Sequence, residues 1–226
     1  MNIALSGVLL LSLVAAPPEI ERARDRQDTA ALQAAAAKLS VAASKSPKDA
    51  AAQYRFALAE SYLAEVALEM GDKAGAEKAA QAGIPAAERA VALEGNVAEN
   101  HRILGTLCGQ VIPANVLLGV RYAKCASASV QKALELAPNS SDGHLSQGVG
   151  NYYLPAAFGG GVDLAIRDFQ KAVQLDPKSA EAYLWLGIAL RKAGRNAEAR
   201  AALQKSLDLN PNRVWAKKQL DKTPAK

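Results

Sequence analysis

The chain has 226 residues, 50% of them apolar and 22% charged, a composition that excludes an intrinsically disordered protein. Aromatic residues make up only 5%, alanine is abundant and alternating β-branched runs are few, which favours close-packed helices over sheets. Most of the net charge of +5 lies in the last fourteen residues, and no basic stripe interleaved with aromatic residues predicts nucleic-acid binding.

The N-terminus begins with an uncharged apolar run from Ile3 to Ala16. This run is too short to span a bilayer, and the small residues at its end are typical of a secretory signal peptide. We therefore expect residues 1–16 to be a signal peptide and residues 17–226 to form a single periplasmic or secreted domain without a transmembrane segment. The alternative is a buried N-terminal helix.

Three helical units are predicted before residue 140. The segment AALQAAAAKLSVAASKSP, which ends at Ser46-Pro47, predicts a single leading helix. A hairpin then runs from Ala52 to Gly95, and Gly83-Ile84-Pro85 is expected to kink its second helix. The next hairpin pairs AENHRILG with ASASVQKALELAP, residues 98–105 and 126–138.

A third hairpin pairs DGHLSQG with AIRDFQKAVQLDP and encloses the sequence LPAAFGGG, residues 154–161. Three consecutive glycines could cradle a phosphate, but the Lys-Ser/Thr of a P-loop and a preceding strand are both missing. We therefore interpret the glycine run as a lengthened turn. Long turns inserted in successive repeats fall on one face, which often binds a partner.

The last hairpin spans Ala180 to Pro211. Tyr183, Leu186, Gly187 and Leu190 form one apolar stripe, and Ala199, Leu203 and Leu207 form another. Ala193-Gly194 separates the two helices, and Pro211 ends the second. Arg213 to Asp221 predicts a basic capping helix, which we interpret as a solvated end of the fold.

These stripes resemble the tetratricopeptide repeat, in which W-x2-L-G-x2-Y is followed by A-x3-F, then by A and P. The matching positions are Tyr183, Leu186, Gly187, Leu190, Ala199, Leu203, Ser206 and Pro211. The resemblance implies an all-α fold: a right-handed TPR-like α-solenoid of about four helical hairpins, with a leading helix and a C-terminal capping helix.

The same resemblance implies a binding surface, because the first helices of such repeats line a concave groove. It assigns to that groove the candidate binding residues Arg102, Val149, Tyr152, Tyr153, Leu184, Trp185, Ile188 and Arg191. Leu184 and Ile188 make their helix apolar on a second side, which something must cover. Either neighbouring hairpins and the capping helix cover it, or it holds a peptide or apolar ligand whose acidic end Arg102 or Arg191 fixes.

A narrower resemblance extends from about residue 50 to residue 211. HRILGTLCGQ, GNYYLPAAFGGG and AIRDFQKAVQLDP are similar to the T-component proteins of TRAP-type transporters and, more remotely, to regulators of microtubule dynamics. The transporter resemblance implies an oligomer that associates with an extracytoplasmic solute-binding protein. The lipid-anchoring cysteine of that family is absent here.

Two functions therefore stay open. The first is an exported scaffold that binds a protein or peptide partner, and the second is an auxiliary transport component that binds a small apolar or acidic ligand. No catalytic motif was found, so we expect neither enzymatic activity nor a cofactor. His101 and His144 occupy equivalent positions in successive repeats, too far apart to share a metal, and are expected to pack.

The two cysteines, Cys108 and Cys125, lie on facing helices of one predicted hairpin. A disulfide requires Cα atoms about 4.4 to 6.8 Å apart, and both side chains must point inward. Cys125 precedes the inward-facing Ala126 and is expected to point partly aside. We therefore favour two reduced, buried thiols over a bridge.

Overall fold

The fold is described from a computed structural model that covers residues 17–225, so the predicted signal peptide and the alternative N-terminal helix both lie outside the described residues. Within this range the regular elements are eleven α-helices and two short 3-10 helices, without a strand. The helices are α1 Pro18–Asp25, α2 Thr29–Lys45, α3 Ala50–Met70, α4 Lys73–Leu93, α5 Ala98–Ala114, α6 Gly119–Leu136, α7 Ser141–Tyr153, α8 Val162–Leu175, α9 Ala180–Lys192, α10 Asn196–Leu209 and α11 Val214–Asp221. None of the helices in this range is long and apolar enough to cross a membrane.

Four helical hairpins, α3/α4, α5/α6, α7/α8 and α9/α10, follow one another along the chain and confirm the predicted all-α solenoid. The leading helix is α2 and the capping helix is α11. Short polar side chains satisfy the free N–H groups at several helix starts. The capping residues are Asp28, Asp49, Asp72, Ser140 and Ser179.

The extra residues between paired helices are accommodated in two ways. The second hairpin has more residues than the fourth, and these lengthen its helices: α5 and α6 have 17 and 18 residues, whereas α9 and α10 have 13 and 14. In the third hairpin the helices keep their regular length, and Ala156–Phe158 forms a 3-10 helix in the turn. In the first hairpin, α4 continues as one helix through Pro85.

The glycine run at residues 159–161 completes this turn, as predicted. Gly159 and Gly161 have φ angles of 87° and 116°, which only glycine adopts readily. A side chain on Gly160 would collide with the backbone, because its Cβ would lie 2.3 Å from the carbonyl oxygen of Leu154. The backbone N–H of Gly161 donates a hydrogen bond to the carbonyl of Asn151, at 2.9 Å. The run therefore holds the chain reversal between α7 and α8.

Small residues allow the paired helices to approach closely. A Cβ on Gly187 would lie 2.5 Å from Cγ of Leu203 and 3.0 Å from the carbonyl oxygen of Ala199. In the second hairpin, a Cβ on Gly105 would lie 3.0 Å from the carbonyl oxygen of Ala126. A glycine therefore faces an alanine at the closest approach of the helices in both α5/α6 and α9/α10.

The cysteines form a disulfide, so the expectation of two reduced thiols was wrong. Cys108 on α5 and Cys125 on α6 are bonded, with their Cα atoms 6.0 Å apart. The prediction rested on Cys125 pointing partly aside, away from Cys108. In the structure, α5 and α6 approach closely at Gly105 and Ala126, so Cys125, which packs against the core, reaches Cys108, which is buried in it.

Candidate functional site

The first helices of the four hairpins, α3, α5, α7 and α9, pack side by side in parallel and form one wall, which we call the inner face. Hydrogen bonds join each of these helices to the next. Tyr54 with Glu99 and Gln110 with Ser61 join α3 and α5, Thr106 with Ser146 joins α5 and α7, and Lys192 with Tyr152 joins α7 and α9. The candidate binding residues predicted from the sequence all lie on α5, α7 and α9.

Aromatic side chains from α7, α9 and α11 cluster on the inner face. The ring centroids of Tyr152 and Tyr153 lie 5.9 and 6.3 Å from that of Trp185, and Trp185 lies 5.3 Å from Trp215. Val149 packs beside Tyr152 and Trp185 in the adjacent core. Tyr153 is 47% exposed. The structure thus brings together four of the predicted binding residues and leaves one aromatic ring open to solvent.

The capping helix covers the second apolar side of α9. Leu184 and Ile188 are buried and pack in one cluster with Ala216 of α11. Arg191 is also engaged by the cap, because its guanidinium donates hydrogen bonds to the carbonyl oxygen and Oε1 of Gln219, at 3.1 and 2.7 Å. The second apolar side of α9 was expected to be covered either by neighbouring elements or by a peptide or apolar ligand. In the structure the capping helix covers it.

Arg102 is engaged within the fold as well. Its Nε donates to both carboxylate oxygens of Glu99, at 3.0 and 2.7 Å, and the hydroxyl of Tyr54 donates to the same carboxylate. Burial raises the pKa of Tyr54, so its hydroxyl stays a donor at neutral pH. Both arginines predicted to fix an acidic ligand thus already have internal partners, and their binding role stays a prediction.

The two histidines at equivalent repeat positions make equivalent contacts. Nε2 of His101 lies 2.9 Å from the carbonyl oxygen of Gly95, and Nε2 of His144 lies 3.0 Å from that of Pro138. Each ring therefore contacts the loop that precedes its own helix, α5 for His101 and α7 for His144. Within residues 17–225, no group of three or more His, Cys, Asp or Glu side chains is arranged to hold a metal ion.

Arg213, which we expected in a solvated end of the fold, is fully buried against the opposite end of the solenoid. Its guanidinium donates hydrogen bonds to Glu65 at 2.6 Å, to Glu69 at 3.0 Å and to Glu181 at 2.7 Å. Glu65 and Glu69 belong to α3, whereas Glu181 belongs to α9. The side chain of Arg213 therefore joins the first and the last hairpin across the inner face, and the expectation of a wholly solvated cap was wrong.

Helix α1, which the sequence analysis did not predict, extends this junction. The guanidinium of Arg24 lies 4.9 Å from the ring centroid of Tyr62 on α3 and 3.5 Å from the carboxylate of Glu181 on α9. The next residue, Asp25, accepts a hydrogen bond from the side chain of Asn210 at 2.8 Å. The first helix of the described chain thus contacts both ends of the repeat array.

The carboxylates of this junction differ in their affinity for protons. Burial raises the pKa of Glu65 to about 8, although Arg213 and Arg24 both favour its ionised form. Burial also raises the pKa of Glu69, against the opposing effect of Arg213. Burial would raise the pKa of Glu181 too, but Arg213 and Arg24 outweigh it and lower that pKa.

One sequence signal could have suggested part of this site. Glu65 and Glu69 are four residues apart, which places two carboxylates on one side of α3 beside otherwise apolar positions. Nothing in the sequence connects them to Arg213, which lies 148 and 144 residues further on.

Exposed apolar side chains mark the edge where the first helices end and the inserted turns begin. Leu117 is 93% exposed and Phe158 is 76% exposed, and both lie in 3-10 helices of these turns. Met70, at the end of α3, and Leu154, just after α7, are also exposed. Phe158 and Leu154 lie in one turn, and exposed apolar residues close together can mark a surface that binds a partner.

Residues 156–214, which include the turn of the third hairpin and the whole fourth hairpin, match the family model of the tetratricopeptide repeat. This part of the chain has the sequence of the tetratricopeptide repeat. A 91-residue segment is 40% identical to the small glutamine-rich tetratricopeptide repeat-containing protein 2 of Mycosarcoma maydis, and this segment makes up 39% of the chain and 24% of that relative. The match therefore spans about a quarter of the relative's length.

Solved structures share the tetratricopeptide solenoid. TTC0263, a thermophilic tetratricopeptide protein of Thermus thermophilus, is 21% identical and superposes with a TM-score of 0.59, covering 84% of this chain and 91% of that one. The Cut9–Hcn1 hetero-tetramer of the APC/C is 19% identical and superposes with a TM-score of 0.50, covering 89% of this chain and 41% of the matched chain. At these identities the similarity concerns the fold.

Proposed function

We propose that the protein is an exported tetratricopeptide scaffold that binds a protein or peptide partner at the end of its inner face. The observation that carries this proposal is Tyr153, which is held by Tyr152 and Trp185 and still exposes 47% of its surface. A rigid, half-exposed aromatic side chain is the type of residue that contributes most to binding at protein interfaces.

The surface next to Tyr153 supports the same site. Leu154 follows Tyr153 directly, and Phe158 lies four residues further on in the same turn. Both side chains are exposed, so an apolar strip leads from the inner face onto the turn. The backbone N–H groups of Gly160 and Gly161 donate hydrogen bonds to the carbonyls of Pro155 and Asn151, at 3.2 and 2.9 Å, and hold this turn in one conformation. A fixed turn reduces the entropy that ordering the strip on binding would cost.

The disulfide supports the exported part of the proposal. Bonds such as that between Cys108 and Cys125 persist in oxidising compartments and are rare in the cytosol, where thiols are kept reduced. Its presence agrees with the signal peptide expected at residues 1–16. Localisation in the periplasm or outside the cell therefore stays our prediction.

Capture from an extracytoplasmic extract tests the binding site. The immobilised protein is compared with Tyr153→Ala, with Phe158→Ser and with the control Val41→Ser. Val41 is a suitable control because it is 54% exposed and lies on α2, away from the inner face. We expect the first two variants to lose a partner that the wild type and Val41→Ser retain, with the same helical content in all four proteins.

Retention of every captured protein by both Tyr153→Ala and Phe158→Ser would contradict the proposed site. The transport-associated alternative stays a prediction and is tested by the same experiment. A solute-binding protein, retained by the wild type and lost by Tyr153→Ala, would identify the scaffold as an auxiliary transport component.

A further inference from the structure

Six charged side chains meet where the two ends of the solenoid join, and their charges do not balance. The cluster consists of Arg24 and Asp25 from α1, Glu65 and Glu69 from α3, Glu181 from α9, and Arg213 before α11. Four carboxyl groups therefore face two guanidinium groups. With every group ionised, the junction would hold two negative charges that no cation in the cluster neutralises.

This cluster is largely shielded from solvent, so the charge imbalance is costly. The side chains of Arg213 and Glu69 are 0% and 2% exposed, and those of the other four groups are 11–20% exposed, with Glu65 at 20%. Unbalanced charges repel one another strongly in such surroundings, because the effective dielectric constant is far below that of water. A proton bound to one of the carboxyl groups relieves this repulsion.

The other groups packed around the cluster supply little compensating charge. Gln27 donates a hydrogen bond to Glu69 at 2.7 Å, and Asn210 donates one to Asp25 at 2.8 Å. The remaining titratable neighbours are Tyr62 beneath Arg24, Tyr153 of α7 facing Glu69, Glu21 and Arg102 facing Tyr62, and Lys218 bonded to Gln27. The charge of Arg102 is balanced by its own partner, Glu99. Lys218 is exposed at the margin, so solvent largely screens its charge.

We propose that this cluster is a latch that holds the two ends of the solenoid together at mildly acidic and neutral pH and releases them as the pH rises. In the closed form burial raises the pKa of Glu65 to about 8, whereas in the open form the carboxyl group is solvated and regains its ordinary pKa. The closed form thus binds a proton that the open form does not. By linkage, rising pH shifts the population towards the open form.

The latch would control partner binding, because an open junction exposes more of the inner face to a partner. This role of the latch rests on the proposed function. Opening itself is measured without a partner. A latch that fails its test would therefore leave partner binding at Tyr153 intact, and a failure to capture a partner would leave the latch intact.

Spin labels on the two sides of the junction test the latch. The positions are Arg22→Cys on α1 and Lys217→Cys on α11, both of which are exposed, and labelling without reductant preserves the native disulfide. We expect a single short distance at pH 6 and a longer, broader distribution at pH 9, with unchanged helical content. The Glu65→Gln variant carries a neutral side chain at every pH, so it should keep the short distance at pH 9.

Glu60→Gln is the matched control. Burial raises the pKa of Glu60 to about 7, so this group titrates in the same range, but it lies between α3 and α4 beside Gly83. The control should open at pH 9 as the wild type does. The proposal would be overturned if the wild-type distance did not change, or if helix were lost at pH 9. It would also be overturned if Glu65→Gln opened, or if Glu60→Gln stayed closed, at pH 9.

Discussion

Arg213 donates a hydrogen bond from Nη1 to Oε2 of Glu69 at 3.0 Å, and 144 residues separate the two in the sequence. Together with the contacts of Arg24 and Asp25, this hydrogen bond joins the two ends of the array of hairpins. In an open solenoid, stability is close to a sum of repeat and nearest-neighbour terms. A buried ion pair between the first hairpin and the start of the capping helix adds a term that couples the ends and covers part of the inner face.

Gly187 tests the packing between α9 and α10. Replacing it with alanine places a Cβ 2.5 Å from Cγ of Leu203, and we expect this overpacking to destabilise the fold by about 1–3 kcal/mol. Gly150→Ala is the matched control, because a Cβ on Gly150 meets nothing within 4 Å. Since alanine favours helix over glycine, the control should stabilise α7 by roughly 0.5–1 kcal/mol. Urea unfolding measures both, and a loss of the same size in both variants would contradict the close contact.

The disulfide predicts both a thiol count and a stability change. The denatured, unreduced protein should contain no free thiol, and the reduced protein should contain two. Closing a loop between residues 17 apart stabilises a fold by about 3 kcal/mol in the chain-entropy description, so reduction should lower the urea midpoint. Two free thiols in the unreduced protein would show that the bridge does not form.

The raised pKa of Glu60 predicts that the fold loses stability between pH 5 and pH 8. Burial raises its pKa in the fold to about 7, above the ordinary value of 4.5. Its contribution is therefore fully present below about pH 4.5 and is lost as the pH rises through about 7. The melting temperature of the wild type should fall over this range, and that of Glu60→Gln should fall less. Equal falls would show that Glu60 does not titrate with a raised pKa.

The hairpins could be predicted because their determinants are local. Gly187 and Ala199 lie twelve residues apart and face each other within one hairpin, and the apolar stripes of α9 and α10 follow the helical period. The orientation of Cys125 depends on how closely α5 approaches α6, which spacing alone does not fix. The reduced state was therefore the wrong choice of the two considered.

The junction of the two ends could not be predicted in the same way. Helix α1 has only eight residues, and isolated helices of that length are unstable in water, so its existence depends on contacts with α2, α3 and α9. Arg213 follows Pro211 and precedes four lysines, and this basic composition suggested a solvated end. Only the curvature of the whole array shows that carboxylates of α3 and α9 surround it.

A double-mutant cycle between Arg213 and Glu69 tests most directly whether the two ends are joined. Arg213→Met should cost about 3–5 kcal/mol in urea unfolding, since it leaves buried carboxylates without their partner. In the Glu69→Gln background the same substitution should cost less, by roughly 0.5–3 kcal/mol, because the two residues share one contact. The exposed pair Arg195 and Glu198 provides the control cycle, in which the coupling should be at most about 1 kcal/mol. An Arg213→Met cost that is the same with and without Glu69 would contradict the joined ends.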